Sequence, residues 1–468
     1  MATELLPELI DLVIERLADI SNQDERTKAL SSAALVSRAL RYQAHRYLFA
    51  KVILATSSVP PRLPSHVVKR LQSLCDLMCA DPNTTMTGVA SYISTFEVYI
   101  SGSFYESSNR GQAYLKPTTT ILKKIFKTGT SPCSLSLSFP LNYASPARWP
   151  KYPDLMVPLL EICKNPRLVS LHLSYIADVP LDLLKDSSVK HLSLERISIG
   201  PQRSISSMEQ TSEFTEHLES LSTDLSYARV TAPDSLHDNR ILYFPCSLSK
   251  LKFLNIDLHF SDDFRLKSVA TMLDASSSTL TGLAISLQAG SSMFFFKSVL
   301  QAILFINPPS ASLGPESRIL RLRDLIALKK LLLKSYTVLS KSTTTSILAD
   351  FSAVLNVEQD GLPEALEKLQ ISFTIDFDSH RFKDDPDPAL TDLHRNVHEL
   401  DLFLSRICRL SRLRSLTISV SVPVTRIFGP PPVDILEKYR MALFTAFANI
   451  RTLNFLEFEV ITTSASWC

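Results

Sequence analysis

Glycine is scarce. It supplies 10 of 468 residues, where a share of about 7% is usual. Loops that cradle phosphate need glycine for positive φ and for close backbone approach. Neither GxGxxG nor GxxxxGK[ST] occurs, so nucleotide-dependent enzymes are disfavoured. An excess of one charge is also missing: 49 basic residues face 47 acidic ones, for a net charge of +2. That balance leaves no broad footprint for nucleic acid or for a membrane surface. The longest apolar run, MFFFKSVLQAILFI (293–306), is short for a membrane span and is broken by Lys297 and Gln301. Glu4, Glu8 and Asp11 interrupt any early secretory core. Seven cysteines (75, 79, 133, 163, 246, 408 and 468) form an odd, unpatterned set, which reads as reduced thiols rather than a disulfide framework. The expectation is a soluble cytoplasmic or nuclear protein, with no nucleic-acid and no membrane partner.

Chemistry-bearing motifs are few. Cys75 and Cys79 share one helical turn, but no further ligands lie near in sequence, so buried structural thiols are expected. His394 and His398 stand four apart without an HExxH pattern and read as a solvated helix face. FKDDPDPALTD (382–392) is rich in Asp, but its spacing is wrong for a calcium loop and no Gly sits in its middle. No GxSxG occurs. The sequence thus suggests no catalytic residue, no metal ligands and no cofactor, and the chain reads as non-catalytic.

What is present begins at the N-terminus. Of residues 5–17, LLPELIDLVIERL, eight are Leu, Ile or Val. Pro7 suits a first helical turn, and Glu8 and Asp11 favour the N-terminal end of the dipole. On a helical wheel the apolar residues cover an arc of roughly 200°, against the roughly 100° stripe of an ordinary surface helix. Such a helix has two surfaces to bury, one against its own domain and one against a second layer from this chain or a partner. A polar break follows, SNQDERTK (21–28). Leu30, Ala34 and Leu35 then keep helical spacing, and Ser37 is placed to cap a segment carrying Leu40, Ala44, Tyr47 and Leu48. Three short helices in about fifty residues make a marginal core standing alone.

This stretch resembles an F-box of the divergent type common in basidiomycete fungi. The matching residues are Leu6-Pro7-Glu8-Leu9, Ile14 and Leu17, then Leu35-Val36-Ser37-Arg38 and Arg46-Tyr47-Leu48-Phe49. Family members often carry Trp where this chain has Leu40. The resemblance implies docking on a Skp-type adaptor, and through it on a cullin-RING ligase, with Leu6, Pro7, Leu9, Ile10, Ile14, Leu17, Leu35, Val36 and Leu40 as adaptor-binding residues.

Beyond a linker at 55–66 and a helix-like VVKRLQSLCDLMCADPN, one pattern recurs: apolar, two spacers, apolar, one spacer, apolar. It occurs at Ile93/Phe96/Val98, Leu168/Leu171/Leu173, Val189/Leu192/Leu194, Leu251/Leu254/Ile256, Leu280/Leu283/Ile285, Leu328/Leu331/Leu333, Leu366/Leu369/Ile371, Leu413/Leu416/Ile418 and Ile450/Leu453/Phe455, with weaker copies at Leu135/Leu137 and Leu218/Leu221. The copies recur about every 36 residues. Helical stretches lie between them, among them DLMVPLLEICKN, FRLKSVATMLDAS, FFFKSVLQAILFIN, TTTSILADFSAVLN, NVHELDLFLSRICRL and ILEKYRMALFTAFANI. Residues one step off the buried pair are mostly polar, as strands with one wet face require. One strand and one helix per unit predict an α/β fold: a three-helix F-box (1–54), the linker, and an irregular leucine-rich-repeat-like solenoid or horseshoe (67–468). Standard repeats carry Asn or Cys three places after the third apolar residue; here those places hold Ile176, Ile197, His259, Gln288, Tyr336, Thr374 and Ser421. Long loops are expected at 229–246, 307–318 and 378–390 and around 429–432.

The functional expectation is the substrate-recognition subunit of a Skp-cullin-F-box ubiquitin ligase. The polar concave face would hold an unknown protein substrate through His172, Ser174, Ser193, Glu195, Asn255, Asp257, Ser286, Lys334, Gln370, Ser372, Thr417 and Ser419. The alternative is a leucine-rich-repeat interaction scaffold unconnected to ubiquitination. A further reading, activation of small GTPases, is weighed down by irregular repeats and the lack of an acidic tail.

Overall fold

The computed structural model describes residues 6–55, 65–79, 88–99, 108–129, 131–139, 147–149, 153–198, 217–224, 248–258, 269, 272–287, 324–335, 362–374, 401–402, 404–409, 411–424 and 433–466. The chain divides into two compact units, Met1–Leu218 with Ser226–Ser247, and Glu219–Leu225 with Leu248–Cys468. The expectations for Cys79, Cys246, Cys468, the histidine pair 394/398, residues 382–392, the four long loops and the helix-like runs 293–307 and 343–356 concern side chains or segments outside the described ones.

Unit one opens with three helices: α1 (Pro7–Ala18), α2 (Gln23–Val36) and α3 (Arg38–Leu48). Pro7 occupies the first turn of α1, where its missing N–H has no partner to lose. The expected polar break is instead the start of α2: the Asn22 side chain accepts from the amides of Asp24 and Glu25, which caps the helix and carries it through the charged segment. Ser37 caps α3, its Oγ accepting from Leu40 N at 3.2 Å. Ile14, Leu30, Ala34 and Ala44 form the small core between these helices, and Leu17, Ala33, Leu40 and Leu48 pack on it partly exposed.

A parallel sheet follows: β1 (Lys51–Ala55), β2 (Thr95–Tyr99), β3 (Cys133–Ser138), β5 (Leu168–Ser174) and β7 (His191–Glu195) pair side by side in chain order. The two-residue strands β4 (Ala147–Arg148) and β6 (Ile176–Ala177) pair separately. The helices α4 (Ser65–Cys79), α5 (Ser108–Thr128) and α6 (Pro153–Cys163) pack on one another in sequence order. Phe96, Val98, Leu135, Leu137, Leu171, Leu173 and Leu192 are buried, with Leu71, Ile121, Ile125, Leu155 and Leu159 from the helices. Glycine scarcity shows at the strand exits, where Tyr175 and Arg196 take positive φ (61° and 50°) and Arg196 lies over the Tyr175 ring. Left-handed backbone of this kind is disfavoured for residues bearing a Cβ.

In unit two, β8 (Ser220–Thr223), β9 (Phe253–Leu258), β10 (Gly282–Leu287), β11 (Lys330–Ser335), β12 (Lys368–Thr374), β13 (Ser415–Val424) and β14 (Glu457–Ser466) form a parallel ladder in chain order. The leucines of each repeat, such as Leu254, Leu283, Leu331, Leu369 and Leu416, stand in register and are buried. Near its end lie α7 (Val433–Ala446) and the short α8 (Ala448–Arg451). The expected strand at Ile450–Phe455 is not there: Ile450 belongs to α8, and β14 begins only at Glu457.

The horseshoe expected from the repeats is a correction. The strands are parallel, but the sheet is not strongly curled. Strong curling requires a layer as wide as a helix, about 10 Å, on one side of every strand spaced at about 4.8 Å. Between β5 and β7 the described residues hold only β6 and a 3-10 turn, Leu181–Leu184, which do not fill a helix's width. The missing Asn positions agree with this. The fold is α/β with parallel sheet, not a leucine-rich-repeat solenoid. Among the described residues, no helix is long and apolar enough to cross a membrane.

Candidate functional site

The wide apolar arc of α1 is divided by the fold. Ile10 and Ile14 point into the core, Ile14 fully. The opposite edge remains in water: Leu6, Leu9, Leu12 and Val13 are 63%, 45%, 50% and 49% exposed. At helical spacing these four lie on one side of α1, with the exposed Arg16 inside the arc between Leu12 and Leu9, and the exposed acids Glu8, Asp11 and Glu15 on the flank beyond Leu12. At the end of α2, Leu35 and Val36 are 80% and 73% exposed. Leaving such side chains hydrated forgoes about 1.5–3 kcal/mol each relative to full burial.

The residues expected to face an adaptor therefore part company. Leu6, Pro7, Leu9, Leu35 and Val36 are on the surface, Leu17 and Leu40 are half-buried, and Ile10 and Ile14 belong to the interior. Leu12 and Val13 were missing from the expected set, although the wheel places them beside Leu9. The wheel alone does not tell the two halves apart, since the acids border the exposed Leu12 on one side and the buried Ile14 on the other.

The polar face of the sheet is the second surface. In unit one, Glu97, Ser136, His172 and Ser193 occupy one lateral row. His172 Nδ1 and Ser193 Oγ are 2.7 Å apart. Lys51 pairs with Glu97 at 2.8 Å. In the next row Ser174 Oγ donates to Ser138 Oγ at 2.7 Å, and Ser174 is buried. Burial holds the His172 imidazole below its usual pKa, against an opposing pull from Glu97. In unit two, Asn255 and Gln370 share a row with Thr417, and Asp257, Ser286, Lys334, Ser372 and Ser419 share the next. Asn255 Nδ2 donates to Ser222 Oγ at 2.9 Å. Of the twelve expected contact residues, Ser174, Ser286, Ser372 and Ser419 are buried, and His172, Ser193, Glu195, Asn255, Asp257, Lys334, Gln370 and Thr417 are half-buried.

The described cysteines are structural in setting. Cys75, Cys133, Cys163 and Cys408 are buried and in no disulfide, and burial pushes the Cys163 and Cys408 thiols up to about 12. A thiol held neutral is neither a nucleophile nor a metal ligand at ordinary pH. Among the described residues no cluster of His, Cys, Asp and Glu could hold a metal ion.

Comparison with protein-family models, with curated proteins and with solved structures found no match. The F-box assignment is corrected accordingly. The Leu-Pro start and apolar spacing that suggested it are what any capped three-helix unit with a small core displays, and the weakly curled sheet behind it is not the array that the assignment required. The ligase substrate-receptor role and the leucine-rich-repeat scaffold role both rested on that arrangement, and both are withdrawn.

Proposed function

We propose that this protein binds another protein through the outward side of α1. One observation carries the reading: Leu6, Leu9, Leu12 and Val13 stay in water on a well-formed helix whose opposite side, at Ile10 and Ile14, is buried. The partner surface is apolar and bordered by basic side chains, because Glu8, Asp11 and Glu15 line one flank of the exposed arc. Covering large aliphatic side chains supplies affinity, and the acidic flank sets orientation and rejects acidic surfaces.

The test uses the full chain as bait and compares it with Leu9→Arg/Val13→Arg and with a charge-reversed Glu8→Lys/Asp11→Lys/Glu15→Lys variant. Val157 on α6 is also exposed, so Val157→Arg controls for added charge. A purified Skp-type adaptor is included as one defined probe. The reading expects a partner retained by the wild type and by Val157→Arg and lost from both α1 variants. Retention by all four chains, or by none, contradicts it.

A further inference from the structure

Among the described residues, the outermost strand of unit two, β14, pairs with one neighbour, β13. It closes the ladder through β13, with which it pairs over ten consecutive residues, Glu457 with Ser415 through Ser466 with Val424. Among the described residues no backbone hydrogen bond reaches its other side. Ten residues is long for a strand, the mean being about 5–6. Edge strands are normally blunted by proline, lysine, a bulge or short length. EFEVITTSAS contains neither proline nor lysine, and its pairing with β13 has no register shift.

The parity of the ladder tells which groups are free. Glu457 N donates to Arg414 O, so the odd-numbered residues of β14 bond inward to β13. In a parallel ladder the alternate residues then turn their N–H and C=O outward. These are Phe458, Val460, Thr462, Ser464 and Ser466.

We propose that β14 is an assembly edge on which a second copy of this chain pairs antiparallel, with Ile461 on the twofold axis. This alignment sets Val460 opposite Thr462 and Phe458 opposite Ser464. All four carry outward backbone groups, so each opposed pair exchanges two hydrogen bonds. It also separates the charges. The acids of the strand, Glu457 and Glu459, lie in its first half, and the twofold sets them opposite Ala465 and Thr463. A parallel pairing would stack Glu457 on Glu457 and Glu459 on Glu459, which is destabilising. Residues on one side of each sheet meet residues on the same side of the other, so the buried side continues across the junction. A closed, self-complementary twofold contact of this kind is the commonest route to a homodimer.

The experiment measures the mass of the full chain in solution by light scattering over a range of micromolar concentrations. Thr462→Pro removes one outward N–H while leaving the inward bonds to β13 in place. Ile461→Lys and Ile461→Glu place like charges on the axis. The expected result is a wild-type mass that doubles with concentration, and monomers for Thr462→Pro, Ile461→Lys and Ile461→Glu alone. Mixing the Lys and Glu variants restores the doubled mass. Urea midpoints matching the wild type show that each variant is folded. A wild type that stays monomeric, a dimer that survives all three substitutions, or a mixture that stays monomeric overturns the proposal.

Discussion

Val13 and Ile14 are consecutive in sequence and opposite in environment: Val13 is 49% exposed and Ile14 is completely buried. The two sit about 100° apart on α1, so one lies on the outward arc and the other in the core with Leu30, Ala34 and Ala44. Ile14→Ala is expected to destabilise the N-terminal helices by about 2–5 kcal/mol, the usual range for emptying a core aliphatic position. Val13→Ala should change stability by no more than about 0.5 kcal/mol. Urea unfolding followed by hydrogen exchange in α1–α3 separates the two.

In unit two, the buried Asp401 carboxylate takes three hydrogen bonds: Oδ2 from Asn449 N and Asn449 Nδ2, both at 2.8 Å, and Oδ1 from Ile450 N at 3.0 Å. It ties a distant helical segment to the start of α8. Asp401→Ala leaves these donors unpaired, at about 1–3 kcal/mol for each buried group. The amides of Asn449 and Ile450 should then exchange faster than those of β13, and the urea midpoint should fall.

Arg167 closes the C-terminal end of α5. Its guanidinium donates to the carbonyls of Ile125 and Ser131 and lies over the Phe126 ring. A Cβ on Gly129 would overlap that guanidinium. Gly129→Ala is therefore expected to displace Arg167 and to destabilise unit one by about 1 kcal/mol. In an Arg167→Ala background the same change should be close to neutral, giving a coupling of about 0.5–3 kcal/mol in a double-mutant cycle.

His172 makes the first unit sensitive to acid. Burial lowers its folded-state pKa below 6.5, and Glu97 opposes that shift. A base whose pKa is depressed by folding favours the folded state fully above its unfolded pKa, and that contribution is lost as pH falls through the lower, folded value. Wild type should therefore lose more stability between pH 7 and pH 5 than His172→Gln. Equal losses would show that the imidazole near Ser193 has no part in the acid limb.

The strands were readable because their period of two is simple: Leu171 and Leu173 face inward and His172 does not. The same arithmetic misled at Ile450/Leu453/Phe455, since spacings of three and two also suit a helical turn followed by a loop. The regular alternation begins later, in EFEV. Helix α5 is hard to read from sequence because Pro117 and the run Thr118–Thr120 look unlike a helix interior, yet both lie inside it. Residues 51–54 fall within the expected N-terminal helical domain and Ala55 within the expected linker, but β-branched Val52 and Ile53 lie in the strand that pairs with β2. Curvature was not legible in the sequence, because local periodicity identifies strands without fixing the width of the layer behind them. On α1, spacing found the apolar arc, but only three-dimensional packing showed which half is spent on the core.

The most direct measurement is site-specific photocrosslinking from α1. A benzoyl-phenylalanine placed at Leu9 or Val13 of the full chain, in cells, should join to a discrete protein through a surface rich in aliphatic and basic residues. The same probe at Glu161, an exposed position on α6, should not. Adducts of equal yield from all three positions, or none from Leu9 and Val13, would contradict a docking role for the outward side of α1.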